Sequence, residues 1–119
     1  THTGAQHIRW QPYQSSSIEA AASTGKASMV DFTADWCFYC KKLEKTTFSD
    51  QQVIEAVSDF CAYQVDGSNK TAEVVAAERE YGIRGYPTVI FFDRHGKEVS
   101  RFVGFVGPDE MLRHAEMAR

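Results

Sequence analysis

Cys37 and Cys40 are the residues of this chain best placed to do chemistry. They stand with two residues between them in the run Trp36-Cys37-Phe38-Tyr39-Cys40-Lys41. Thiols at this spacing can close a disulfide with each other and exchange it with a disulfide elsewhere. The thiolate is the reacting species, so its surroundings decide its reactivity. An apolar run of strand character, ending near Thr33, hands the pair to a lysine-rich segment of helical character that ends in Glu44. The start of a helix offers unpaired N–H groups and the positive end of a dipole, and both favour an anion. Cys37, the first and more exposed, is the expected attacking thiolate. Cys40, one turn in, is the expected resolving thiol. The competing uses are half of a zinc site and a pair of inert core cysteines. A closed zinc site needs four ligands, and the chain has no second C-x-x-C or close Cys/His pair. His2 and His7, near the N-terminus, do not supply the missing spacing.

Two acids flank the cysteines in sequence. Asp31 lies six residues before Cys37, inside the apolar run Met29-Val30-Asp31-Phe32. A buried carboxylate is costly unless it has partners or a task. By strand alternation Asp31 faces away from Val30 and Phe32. If helices cover both sheet faces, it lies beneath the helix that follows Cys37, its pKa is raised, and it can exchange a proton with Cys40. The alternative is an edge-strand acid facing water. Glu44 stands four residues after Cys40 and seven after Cys37, on the same helical face by spacing. It either joins Asp31 in a carboxylate pair that disfavours the Cys37 thiolate, or it is a solvated helix glutamate.

Four further positions draw attention. Pro87 follows Tyr86 and precedes an apolar strand, and only an X-Pro bond adopts cis readily. Local sequence alone leaves an ordinary trans turn as the competing reading. Phe38 and Tyr39, at an exposed helix start, suit a docking surface. Cys61 sits in an apolar strand run and reads as a buried, inert thiol.

The rest of the chain must build the scaffold. Ile8 to Tyr13 alternates, and Pro12 would confine that strand to an edge. Ser15–Ser17 precede a helix stopped by Gly25, and Ser28 to Thr33 is the apolar strand. Trp36 to Phe48 reads as helix, and Asp50 as the cap of another carrying Val53, Ile54 and Val57. Phe60 to Val65 is a strand, Thr71 to Tyr81 a helix closed by Gly82. Thr88 to Phe92 and Val99 to Phe105 form a hairpin around Asp93–Gly96. Pro108 opens the last helix. Alternating strands and helices imply parallel crossovers, and the hairpin adds antiparallel strands. The expectation is an α/β fold with a mixed central sheet and helices on both faces.

At 119 residues the chain suits one domain, residues 1–119, with 1–7 a flexible tail. Apolar residues make up 43% and charged residues 24%, the balance of a soluble globular protein. The net charge of −3 leaves no basic field, so nucleic acid is an unsuitable partner. No apolar stretch approaches the roughly 20 residues that span a bilayer. The first residue is Thr1, which suggests a processed protein or an excised domain.

The run V-D-F-T-A-D-W-C-x-x-C-K, the downstream Asp66 and G-Y-P-T-V together closely resemble the thioredoxin superfamily, over essentially Ile8 to the C-terminus. The resemblance implies the thioredoxin fold with an N-terminal extension. It implies a cis Pro87 opposite the cysteines, and a partner-binding surface of Trp36, Phe38, Tyr39, Tyr86 and Pro87. It also implies a monomeric protein-disulfide reductase with no metal and no cofactor beyond the redox-active Cys37–Cys40 disulfide. Within the superfamily, A-D-W-C-x-x-C-K-x-x-E and the following T-F-S-D-x-x-V are similar to the C-terminal periplasmic domains of transmembrane thiol:disulfide interchange proteins. That likeness implies catalytic roles for Asp31 and Glu44 beside the cysteines. It also implies a periplasmic location, and electrons received from a membrane-embedded domain and passed to a periplasmic one. The pair Phe38-Tyr39 is bulkier than the small pairs expected there. A free-standing reductase and a binding domain with a structural disulfide are the rival readings.

Overall fold

A computed structural model describes residues 6–119 of the chain. His2 and most of the expected tail lie outside the described residues. The elements run β1 (Trp10–Pro12), α1 (Ser17–Ser23), β2 (Ser28–Thr33), α2 (Phe38–Thr46), α3 (Gln51–Ala56), β3 (Cys61–Asp66), α4 (Ala72–Tyr81), β4 (Thr88–Phe92), β5 (Glu98–Val103) and α5 (Pro108–Met117).

The strands form one sheet in the order β1-β3-β2-β4-β5. β1 and β2 both run parallel to β3, while β4 pairs antiparallel with β2 and β5. This is the expected mixed sheet. Pro12 lies on an edge strand, where its missing N–H costs no ladder bond. β2 sits at the centre, which explains why it reads as an almost unbroken apolar run.

Period-2 alternation divides the core between the two faces. Val30, Phe32, Val65, Ile90 and Phe92 pack against Ile18 and Ala21 of α1 and Val74 and Ala77 of α4. Met29, Val89 and Phe91 face the other way, against Leu43 of α2, Val53 and Ile54 of α3, and Met111 and Ala115 of α5. Asp31 shares the parity of Met29, so it faces the α2 side.

Local signals set the ends. The Asp50 carboxylate accepts the Gln52 and Val53 N–H groups, and the Thr71 hydroxyl accepts from Val74. Gly82 closes α4 in the left-handed region, at φ 63°. Several boundaries differ from expectation, among them β3, which spans Cys61–Asp66 rather than 60–65. Helix α2 spans Phe38–Thr46 rather than 36–48, because Cys37 is an extended N-cap (φ −100°, ψ 110°) and the buried Thr47 hydroxyl instead donates to the Val106 carbonyl. β1 begins at Trp10 rather than Ile8. β5 ends at Val103, since Gly104 turns the chain at φ 86°. The Ser15–Ser17 segment makes no side-chain cap at Ser16; there the Gln14 N–H donates to Ser17 Oγ.

Candidate redox site

The loop from Ala34 to Cys37 leaves the end of central strand β2 and turns into α2. At the N-cap, Cys37 Sγ accepts the Cys40 N–H at 3.1 Å, and the two cysteines are joined as a disulfide with Cα atoms 5.3 Å apart. The polar start of the helix thus points its donors at the first sulfur. Cys37 is the more accessible of the two, as the spacing suggests, yet both are buried. Cys37 is 6% accessible against 2% for Cys40, because Ala34 and the Tyr86 ring pack over the pair.

Asp31 is 1% accessible, at the middle of the sheet. It is therefore no edge-strand acid. Gln64, its register partner on β3, donates from Nε2 to Asp31 Oδ2 at 3.0 Å, while Oδ1 has no hydrogen-bond partner among the described residues. Burial pushes the carboxyl up to about 7, the Glu44 charge adds to the rise, and the Gln64 bond opposes both. The fold thus brings Asp31 and Glu44 within electrostatic reach. Glu44 itself is solvent-exposed on α2. It lines, with Gln64, Trp10 and Phe48, a crevice of about 370 Å³.

The Tyr86–Pro87 bond is cis. The Pro87 carbonyl accepts the Gly104 N–H at 2.8 Å. Tyr86 contacts the cysteine cluster directly, and its ring centroid lies 5.4 Å from that of Trp36. Trp36, Phe38 and Tyr39 are 58%, 70% and 53% exposed, large apolar groups left in solvent beside the disulfide. Phe38 and Tyr39 meet edge to face at 5.1 Å. Cys61 is free and half-buried rather than enclosed, because it is the first residue of β3 at the sheet's end. Among the described residues no group of three or more His, Cys, Asp or Glu side chains could hold a metal ion.

Sequence reasoning missed Gln64. A polar residue between Tyr63 and Val65 in an apolar strand was the available signal, but only the β2–β3 register shows that it meets Asp31. Ser68, Lys70 and Glu78 were missed as well. Their link to the site runs through Trp36 and Tyr86 and has no local mark in the sequence.

A thioredoxin-like domain model matches residues 14–119. The thiol:disulfide interchange protein DsbD of Pseudoalteromonas atlantica is 38% identical over 122 residues, covering 97% of this chain and 21% of that protein. The chain thus spans about a fifth of that relative's length. The oxidised C-terminal domain of Neisseria meningitidis DsbD superposes with a TM-score of 0.74 at 29% identity, covering 92% of this chain and 99% of that one. A thioredoxin from Thermus thermophilus superposes at 0.78 with 27% identity, over 92% and 85%. With its cysteine pair at the head of α2 and its central mixed sheet, the chain belongs to the thioredoxin-like family.

Proposed function

We propose that the chain is a thiol–disulfide oxidoreductase that works as a reductant of protein disulfides. The observation that carries this is the Cys37–Cys40 disulfide at the N-terminus of α2, on the sheet face that also holds the buried Asp31.

In the reduced protein the Cys37 thiolate attacks one sulfur of a partner disulfide. A mixed disulfide forms and the partner's other sulfur leaves as a thiolate, which takes a proton from solvent. Cys40 then gives its proton to Asp31 and attacks the Cys37 sulfur. The intramolecular disulfide closes, and the second partner sulfur leaves as a thiolate that takes the proton back from Asp31. Two electrons pass to the partner, and two protons accompany them. A carboxyl near 7 suits the base in the second step, since it both takes and returns a proton near neutral pH. Asp31 and Glu44 place negative charge near the site and disfavour the Cys37 thiolate until a partner docks. Trp36, Phe38, Tyr39, Tyr86 and Pro87 form the docking surface.

The length of the DsbD relatives supports a larger setting. There this chain is one thioredoxin-like domain of a membrane protein, facing the periplasm. It takes electrons from a membrane-embedded redox domain and passes them to a periplasmic one. No helix among the described residues is itself long and apolar enough to cross a membrane.

Insulin reduction with dithiothreitol as electron source tests the reading. Wild type accelerates it, Cys37→Ser abolishes it, and Cys40→Ser accumulates a mixed disulfide visible as a mass increase. A wild type no faster than dithiothreitol alone would leave the cysteines a structural disulfide.

A further inference from the structure

Exchange at Cys37 and Cys40 leaves a charged group beside the site without a task. Glu78 on α4 accepts two hydrogen bonds at Oε2, from Lys70 Nζ at 2.6 Å and from the Tyr86 hydroxyl at 2.8 Å. Lys70 Nζ also stands 4.4 Å from the Tyr86 ring centroid and 5.6 Å from that of Trp36. One phenol is thus held at its hydroxyl by a carboxylate and on its face by an ammonium. Burial and Glu78 hold the Tyr86 phenol protonated, so it is the donor. Lys70 holds the Glu78 carboxyl below its ordinary value, so the acceptor is ionised at neutral pH. The bond between them is charge-assisted, the stronger kind.

The loop from β3 to α4 is shaped around the same ring. A Cβ on Gly67 would come 2.1 Å from Tyr86 Oη and 2.6 Å from Cζ, so only glycine permits this approach. The loop also holds the segment ahead of the cysteines. Gly67 N–H donates to the Thr33 carbonyl at 2.7 Å, Asp35 N–H to Ser68 Oγ at 2.8 Å, and Trp36 Nε1–H to the Ser68 carbonyl at 3.3 Å. An exposed Lys–Glu pair alone is worth little. This one differs, because its carboxylate has Tyr86 as a second donor and the Gly67 backbone closes against the hydroxyl end of that ring.

We infer that Glu78 is a positioning residue for partner binding, acting through Tyr86. With Lys70 it fixes the Trp36–Tyr86 wall that an incoming polypeptide meets beside Cys37. The inference rests on the exchange reading of the site. Glu78 does not touch the sulfurs, so its effect falls on docking of a protein disulfide and not on thiol chemistry. A wall already ordered spares the complex the entropy of fixing two large side chains.

The test compares wild type with Glu78→Ala, Tyr86→Phe and the double variant, with dithiothreitol as electron source. Insulin serves as the protein disulfide and oxidised glutathione as the small one. Each single variant should raise KM for insulin about three- to tenfold, the net worth of one typical intramolecular hydrogen bond. For Glu78→Ala, neither kcat nor the glutathione rate should change by more than about twofold, a factor below that bond's worth. The double variant should be no worse than the worse single one, because both remove the same bond. Glu78→Gln, which keeps an acceptor for Tyr86, should fall between wild type and Glu78→Ala. An unchanged KM, an equal loss on both disulfides, or additive losses in the double variant would each overturn the inference. A wild type that reduces neither disulfide would overturn the exchange reading itself; flat KM values in an active series would overturn this inference alone.

Discussion

Gln64 donates a hydrogen bond to Asp31 at 3.0 Å across the β2–β3 pair, and it is the one protein partner that this buried carboxyl has among the described residues. A single neutral donor does not replace the water that a carboxylate loses on burial. Asp31 is therefore held partly protonated near neutral pH.

Stability should show this directly. Asp31 has its folded pKa raised from 3.8 to about 7. An acid with a raised folded value contributes fully below its unfolded pKa and loses that contribution as pH rises through the folded one. Stability should therefore fall between pH 3.8 and about 7 on account of this group. Asp31→Asn removes the titration. The variant should be more stable than wild type at pH 8, by on the order of 1–4 kcal/mol. The gain should shrink towards pH 4. Urea unfolding of the oxidised proteins across this range measures it, and a constant difference at every pH would contradict the assignment.

The same charges should act on Cys37 in the reduced protein. Replacing both acids, as in Asp31→Asn with Glu44→Gln, removes negative charge from the neighbourhood of the thiol. The Cys37 pKa should fall in the double variant, read by thiolate ultraviolet absorbance or by the pH dependence of alkylation. An unchanged or higher value would remove the acids from the mechanism.

Phe38 and Tyr39 touch solvent more than they touch the fold, being 70% and 53% exposed. Truncating each to alanine should change stability by no more than about 0.5 kcal/mol, the usual range for surface positions. Reduction of a protein disulfide should slow in the same variants, while reduction of a small disulfide stays constant. Paired unfolding curves and insulin turnover separate the two effects. Variants that lose stability and keep turnover would make the aromatics structural.

Much of the fold was legible because strand and helix periods differ and each break has its own residue. Gly82, Asp50 and Pro108 marked ends that the structure keeps. The buried position of Asp31 was one of two readings open to an acid in an apolar run, and the central place of β2 decides it. What local pattern could not carry was long-range. The accessibility of Cys37 depended on a ring 49 residues away, that of Tyr86. The helix start depended on Cys37 adopting an extended cap. The Gln64 and Glu78 contacts depend on strand register and on the β3–α4 loop, which sequence spacing does not encode.

The central claim is that this site gives electrons away. In the proposed mechanism the two carboxylates withhold stabilisation from the thiolate of the reduced form, and a couple whose reduced form is not stabilised is a reductant. The reduction potential of the Cys37–Cys40 couple, measured by equilibration against dithiothreitol and glutathione buffers, tests this most directly. The account predicts a value in the range of thioredoxin, about −270 mV; a value near that of a strong oxidant, about −120 mV, would contradict it.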